Sequence, residues 1–95
     1  MIDVTERAKQ ELKKILTSNV DHPEAVLRLT TGNQGQLGLG VDVPAPGDNV
    51  VEYEGTKVLL VDEGLASSLV GVTLDVEDTS EGPQLAIFKQ RQSNN

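Results

Sequence analysis

The sequence predicts a mainly β fold of the α+β kind: a two-sheet sandwich or partial barrel with an N-terminal amphipathic helix and one short helix. Three observations point there. From Leu27 onward, apolar and polar residues alternate with a period of two, as half-buried strands require. A helical period is clear only in the first twenty residues. Turn-forming residues cut the rest into short segments, the spacing of a sandwich or barrel rather than of a parallel α/β sheet.

Taken in order, Ile2–Val4 reads as a short edge strand. Thr5 is placed to cap a helix, because its hydroxyl can accept a bond from a free first-turn N–H. Glu6 follows at the positive end of the helix dipole. Ala8, Leu12, Ile15 and Leu16 then make one apolar stripe of a helix that ends near residues 17–19. The segment NVDHPE connects, with Pro23 discouraging helix at His22. Leu27 and Leu29 belong to one strand; Leu37, Leu39, Val41 and Val43, alternating with Gly38, Gly40 and Asp42, belong to the next. PAPGDN (residues 44–49) is a rigid turn. Residues 50–53 and 57–62 form strands joined through Glu54-Gly55-Thr56. Residues 63–70 form a short helix, with Gly71 just past its end. Residues 72–77 and 84–89 are strands separated by the loop DTSEGP. The last residues, 90–95, form a polar tail expected to be disordered.

The chain has 95 residues, the size of a single domain. Its 27 Leu, Val and Ile residues, against a single Phe, make the core aliphatic. There is no cysteine, which excludes disulfides, thiolate nucleophiles, zinc knuckles and cysteine-held iron–sulfur clusters. The start MIDVTERAKQ has no apolar signal region, and no apolar run reaches membrane-spanning length. A cytoplasmic protein is expected. The net charge of −7 argues against nucleic acid as a partner. Arg7, Lys9, Lys13 and Lys14 supply half of the basic residues within eight positions, which reads as a solvated helix on an acidic body.

The stretch TTGNQGQLGLG (residues 30–40) carries four glycines in eleven positions. It is not a phosphate loop, because it contains no Lys and continues as strand rather than helix. Gly32 and Gly35 are expected to permit a turn with positive φ, while Gly38 and Gly40 leave one strand face bare for another backbone or subunit. His22, the only imidazole, is expected in an exposed connector. Ser67 and Ser68 lack a nucleophile elbow. Asp75, Glu77, Asp78 and Glu81 could gather a hard cation, though without EF-hand spacing.

The order of these elements resembles the A-type iron–sulfur carrier family, the HesB/IscA-like domain, over residues 2–89. MIDVTERAKQELKKIL is similar to that family's opening strand and helix. Leu27-Arg28-Leu29 leads into Thr31-Gly32-Asn33-Gln34-Gly35, where the family has Ser/Thr-Gly-Cys-x-Gly. VDEGLASSLVGVTLDV (residues 61–76) is similar without a gap to the family's run, with Leu69, Gly71, Leu74 and Asp75 in the matching positions. The resemblance implies two packed sheets and peripheral helices for a domain spanning residues 1–89. It also implies a homodimer or larger oligomer. The chain resembles a divergent member lacking all three cysteine ligands: Asn33 stands at the loop position, and FKQRQSNN replaces the C-terminal Cys-x-Cys. An amide is no substitute for a thiolate on iron–sulfur.

The leading expectation is a non-enzymatic accessory or protein-interaction module, linked to iron–sulfur or sulfur metabolism, with no cofactor and no catalytic residue. Its expected surface is Gly32, Asn33, Gln34, Gly35, Gly38 and Gly40, and its protein partner is unknown. Two alternatives stand beside it. One is a binder of mononuclear iron or another hard cation through carboxylates and His22. The other is an enzyme using a carboxylate pair for acid–base work.

Overall fold

A computed structural model describes residues 1–89; the expected disordered tail, residues 90–95, lies outside the described residues. The strands β1 (Asp3–Val4), β6 (Val72–Thr79) and β7 (Gly82–Lys89) form one sheet in the order β1-β6-β7. The strands β2 (Val26–Thr31), β3 (Leu37–Asp42), β4 (Asn49–Tyr53) and β5 (Thr56–Val61) form a second, in the order β3-β2-β5-β4. The helices are α1 (Glu6–Asn19) and α2 (Glu63–Ser68). This is the mainly β, two-sheet architecture that the alternation predicts. β1 pairs with β6 and β2 with β5 in parallel; all other pairings are antiparallel.

Helix α1 begins where the capping residue places it. The Thr5 hydroxyl accepts from the Ala8 N–H at 3.1 Å and donates to Asp75 at 2.7 Å. Its apolar stripe is buried at Ala8, Leu12 and Leu16, with Ile15 packed at the margin. The stripe lies against the apolar side chains Leu27, Leu29, Leu59, Val61, Leu74 and Val76 in one core between the elements. Strand β5 is central, and Val58, Leu59, Leu60 and Val61 are all fully buried. A run of four apolar residues without alternation fits a strand covered on both faces. Full burial of each such side chain contributes roughly 1.5–3 kcal/mol.

Several boundaries differ from the sequence expectation: β3 ends at Asp42 rather than Val43, β4 starts at Asn49, α2 ends at Ser68 rather than at residue 70, and three further differences have a clear local cause. Asp62 ends no strand; it caps α2, accepting from the Leu65 N–H at 3.0 Å. The loop between β6 and β7 shrinks to Ser80-Glu81, because Asp78 and Thr79 pair with Pro83 and Gly82. Pro83 is tolerated there since β7 is an edge strand. Thr56 belongs to β5, so the β4–β5 turn is only Glu54 (φ 52°) and Gly55 (φ 80°). Two left-handed residues in succession make the turn that matches strand twist in a tight hairpin.

Candidate functional site

The hairpin β2–β3 carries the residues singled out in the sequence. Six cross-strand pairs run without interruption from Val26 opposite Asp42 to Thr31 opposite Leu37. The connecting loop is closed at its neck by the Gly32 N–H, which donates to the Gln36 carbonyl at 2.7 Å. Inside that neck, Asn33–Gly35 form a single 3-10 turn. The positive φ expected at the glycines falls instead on Gln34 (φ 61°), whereas Gly32 is extended at φ −106°. The tight neck demands one left-handed residue, and the chain holds a glutamine there at a cost of order 1–2 kcal/mol. Asn33 is exposed.

Gly38 and Gly40 lie on the outer face of β3, beside Thr30 and Arg28 of β2. A Cβ added at Gly38 would meet only the Thr30 hydroxyl, at 3.4 Å, and one at Gly40 only the Thr30 methyl, at 3.7 Å. Both are ordinary contacts with a side chain, no backbone approaches closely, and neither glycine has a positive φ. The folded monomer therefore gives no steric reason for glycine at either position. The face is bare, as the alternation implies.

Next to it stands an ion-pair cluster that sequence reasoning missed. Arg28 donates through Nε to Asp42 at 2.8 Å and through both terminal nitrogens to Asp48 at 2.9 and 2.7 Å. The Asp48 side chain is only 4% exposed, and it also accepts from the Ala45 N–H at 2.8 Å. The bidentate bond from Arg28, then the Ala45 amide, hold the Asp48 carboxyl below its ordinary pKa. The Val43 amide and then Arg28 do the same for Asp42. The clamp ties the Pro-rich turn to the hairpin. A clue lay in the sequence: an Arg inside a half-buried strand needs carboxylates, and Asp42 and Asp48 were the acids near it.

The opposite face of β3 is apolar and incompletely covered. Leu39 and Val41 are 38% and 58% exposed, and Val43, just past the end of the strand, is 47% exposed. Between β3 and β7 runs a groove of about 220 Å³ lined by the side chains of Leu29, Leu37, Leu39, Leu74, Leu85 and Ile87, with Gly38 also on its wall. Here the core faces of the two sheets part, leaving an apolar seam beside the free edge of β3.

The carboxylate site expected from Asp75, Glu77, Asp78 and Glu81 does not assemble. Asp75 accepts from the Thr5 hydroxyl and the Val76 N–H, each at 2.7 Å, which lower its pKa in that order. Asp78 is held by the Arg7 guanidinium, which lowers its pKa. His22 lies in the connector before β2, exposed, with Nδ1 accepting from the Glu24 N–H at 3.2 Å. No group of three His, Cys, Asp or Glu side chains among the described residues could hold a metal. The hydroxyls of Ser67 and Ser68 donate to the helix carbonyls of Glu63 and Gly64, the ordinary use of serine inside a helix. No helix among the described residues is long and apolar enough to cross a membrane.

No protein-family model matches the chain, and no curated protein matches it in sequence. Solved structures do. The fold is similar to the crystal structure of IscA with a 2Fe–2S cluster, with TM-score 0.62 and 19% identity over 98% of this chain and 88% of that one. A protein from Aquifex aeolicus solved by solution NMR gives TM-score 0.62 and 28% identity, covering 93% of this chain and 90% of that one. SufA of Escherichia coli, involved in biosynthesis of iron–sulfur clusters, gives 0.60 and 15%, covering 99% and 85%. The fold is thus that of IscA and SufA, and this chain brings no cysteine to it.

Proposed function

We propose that this chain is a non-enzymatic, cytosolic interaction module on the IscA-like fold, an accessory to iron–sulfur or sulfur metabolism that carries no cluster. It recognises a protein partner through the loop Gly32–Gly35 and the outer face of β3 at Gly38 and Gly40, and it self-associates. The observation that carries this reading is the bare glycine face. A strand interior is weakened by glycine, and nothing inside the monomer requires either residue. A flat, side-chain-free strip beside an exposed loop amide is shaped for contact with another molecule. The fold shared with IscA and SufA supports the metabolic assignment, and the missing thiolates support a role other than carrying the cluster.

The test compares the wild type with Gly38→Leu and Gly40→Leu in affinity capture against iron–sulfur assembly proteins. Both side chains would point outward, so circular dichroism should show an unchanged fold. Captured partners should be lost from both variants. Equal capture by folded variants would discard the glycine face as the recognition surface. An anaerobic iron and sulfide titration accompanies it, with no iron retained after desalting as the expected result.

A further inference from the structure

We infer that the free edge of β3 accepts an extended segment of a partner protein as an added antiparallel strand, one whose apolar residues alternate with others and which sets a basic residue opposite Asp42. This names the chemistry of the partner in the reading above, and it rests on that reading for the view that the chain works by binding another protein.

Open sheet edges are templates for strand addition, and stable monomers blunt them with brevity, proline, charge or bulges. The other edges of these two sheets are blunted. β1 has two residues. β7 carries Pro83 and Lys89. β4 carries Glu52 and an irregular register between Val51 and Glu52. β3 is six residues long and regularly paired to β2, without proline, lysine or bulge, and its only charge, Asp42, stands at its last position.

The register sets which backbone groups this edge offers. The Gly32 N–H bonds the Gln36 carbonyl, and hydrogen-bonded and open pairs alternate along an antiparallel ladder. Gly38, Gly40 and Asp42 therefore turn their N–H and C=O groups toward β2, while Leu37, Leu39 and Val41 turn theirs to the free edge. The same three residues carry their side chains on the seam face, where Leu37 and Leu39 line the groove shared with Leu85 and Ile87. Unpaired strand backbone thus lies beside an apolar cleft. The backbone supplies affinity for an added strand, and pockets for its alternate side chains supply selection.

Each face of β3 specifies half of the segment, because directly opposed residues in an antiparallel pair share a face. Residues opposite Leu37, Leu39 and Val41 lie over the seam and are aliphatic. Those opposite Gly38 and Gly40 lie on bare backbone, a place for aromatic or β-branched side chains that cover edge glycines. Asp42 fixes the charge. Arg28 is a single cation shared between Asp42 and Asp48, so the cluster keeps a net negative charge. Asp48 is enclosed, whereas the Asp42 side chain is 50% exposed. The accessible carboxylate is the one on the β3 edge, and a Lys or Arg opposite it makes a cross-strand ion pair. The net charge of −7 draws a basic segment in and repels an acidic one.

The probe is the synthetic peptide acetyl-KVYVTLK-amide, whose first Lys falls opposite Asp42 and second Val opposite Leu39. Titrated to about 1 mM against the isotope-labelled chain, it should bind and slow hydrogen exchange at Leu37, Leu39 and Val41. In this register the N–H of the second Val faces β3 and that of the Tyr faces away. N-methylation of that Val should weaken binding at least about tenfold, and N-methylation of the Tyr should leave it unchanged. This pair of peptides needs no variant of the protein to fold. Replacing the first Lys by Glu should weaken binding about fivefold, and Asp42→Asn should remove most of that difference. Absence of binding, equal loss from both N-methylated peptides, or a Glu peptide that binds as tightly as the Lys peptide would overturn the proposal. Its failure is distinct from that of the reading above. Peptide binding by a chain whose Gly38→Leu and Gly40→Leu variants capture partners unchanged would discard the glycine face and keep the edge. Lost capture in those variants without peptide binding would keep the face and overturn the edge.

Discussion

Asp48 shows how one side chain can hold a loop to a sheet. Its carboxylate accepts from Arg28 and from Ala45, and like Asp42, Asp75 and Asp78 it is held below the ordinary carboxyl pKa. A carboxyl with a lowered native pKa stabilises the fold above its unfolded value, near 3.9, and that contribution is lost as pH falls through the native value. The melting temperature should therefore stay level from neutral pH down to about 5 and fall below about 4. Asp48→Asn should lower stability at pH 7 and shallow that acid limb, as followed by thermal melts at each pH. Arg28, raised in turn mainly by Asp48, stays charged throughout. Glu54 is the opposite case, a residue in an unfavourable place. It holds φ 52° in a turn that favours Asn-Gly, and its contact with Lys13 is long and exposed. Glu54→Asn should stabilise by up to about 1 kcal/mol, read from the denaturant midpoint.

At the level of elements, the N-terminal cap does two jobs. The Thr5 hydroxyl starts α1 and also ties it to β6 through Asp75. Thr5→Ala should cost about 1–2 kcal/mol in chemical denaturation, and Thr5→Ser should recover most of it. The cap was legible because it is local: a threonine, an acid in the first turn and an apolar stripe lie within a dozen residues. The β2–β3 hairpin was legible for the same reason, through its alternation and its glycine loop. Where expectation and structure part, the deciding partner is usually remote or is a matter of backbone geometry. Asp62 reads equally as a strand end or a cap until the Leu65 amide reaches it. Ser80-Glu81 can be a two-residue turn only because Asp78 and Pro83 pair. The left-handed Gln34 has no mark in the sequence, since a glycine on either side was the more natural bearer.

For the whole molecule, the aliphatic patterning fixes which faces are buried but not how far the sheets close on each other. Leu37, Leu39 and Val41 alternate as regularly as Leu27 and Leu29, yet only the latter pair is fully covered. Coverage depends on how the sheet order places β3 relative to β7, which a period of two does not encode. The acidic residues mislead in the same way. Asp75 and Asp78 look like ligands in the sequence because the basic and hydroxyl groups that satisfy them, on Arg7 and Thr5, lie some seventy positions away.

That separation also bears on when the parts of the molecule form. Every strand of the β3-β2-β5-β4 sheet comes from residues 26–61, so this sheet can assemble from one continuous stretch of chain. The other sheet joins Asp3–Val4 to Val72–Thr79 and Gly82–Lys89, and must wait until β6 and β7 have been made. Long loop closures slow assembly, and the sub-structure they complete opens most readily. Amides of β1 and of its partner residues in β6 should exchange with solvent before those of β2 and β5, as native-state hydrogen exchange would show. During synthesis, β1 is made before the other strands of this fold and is among the last of them to find its place.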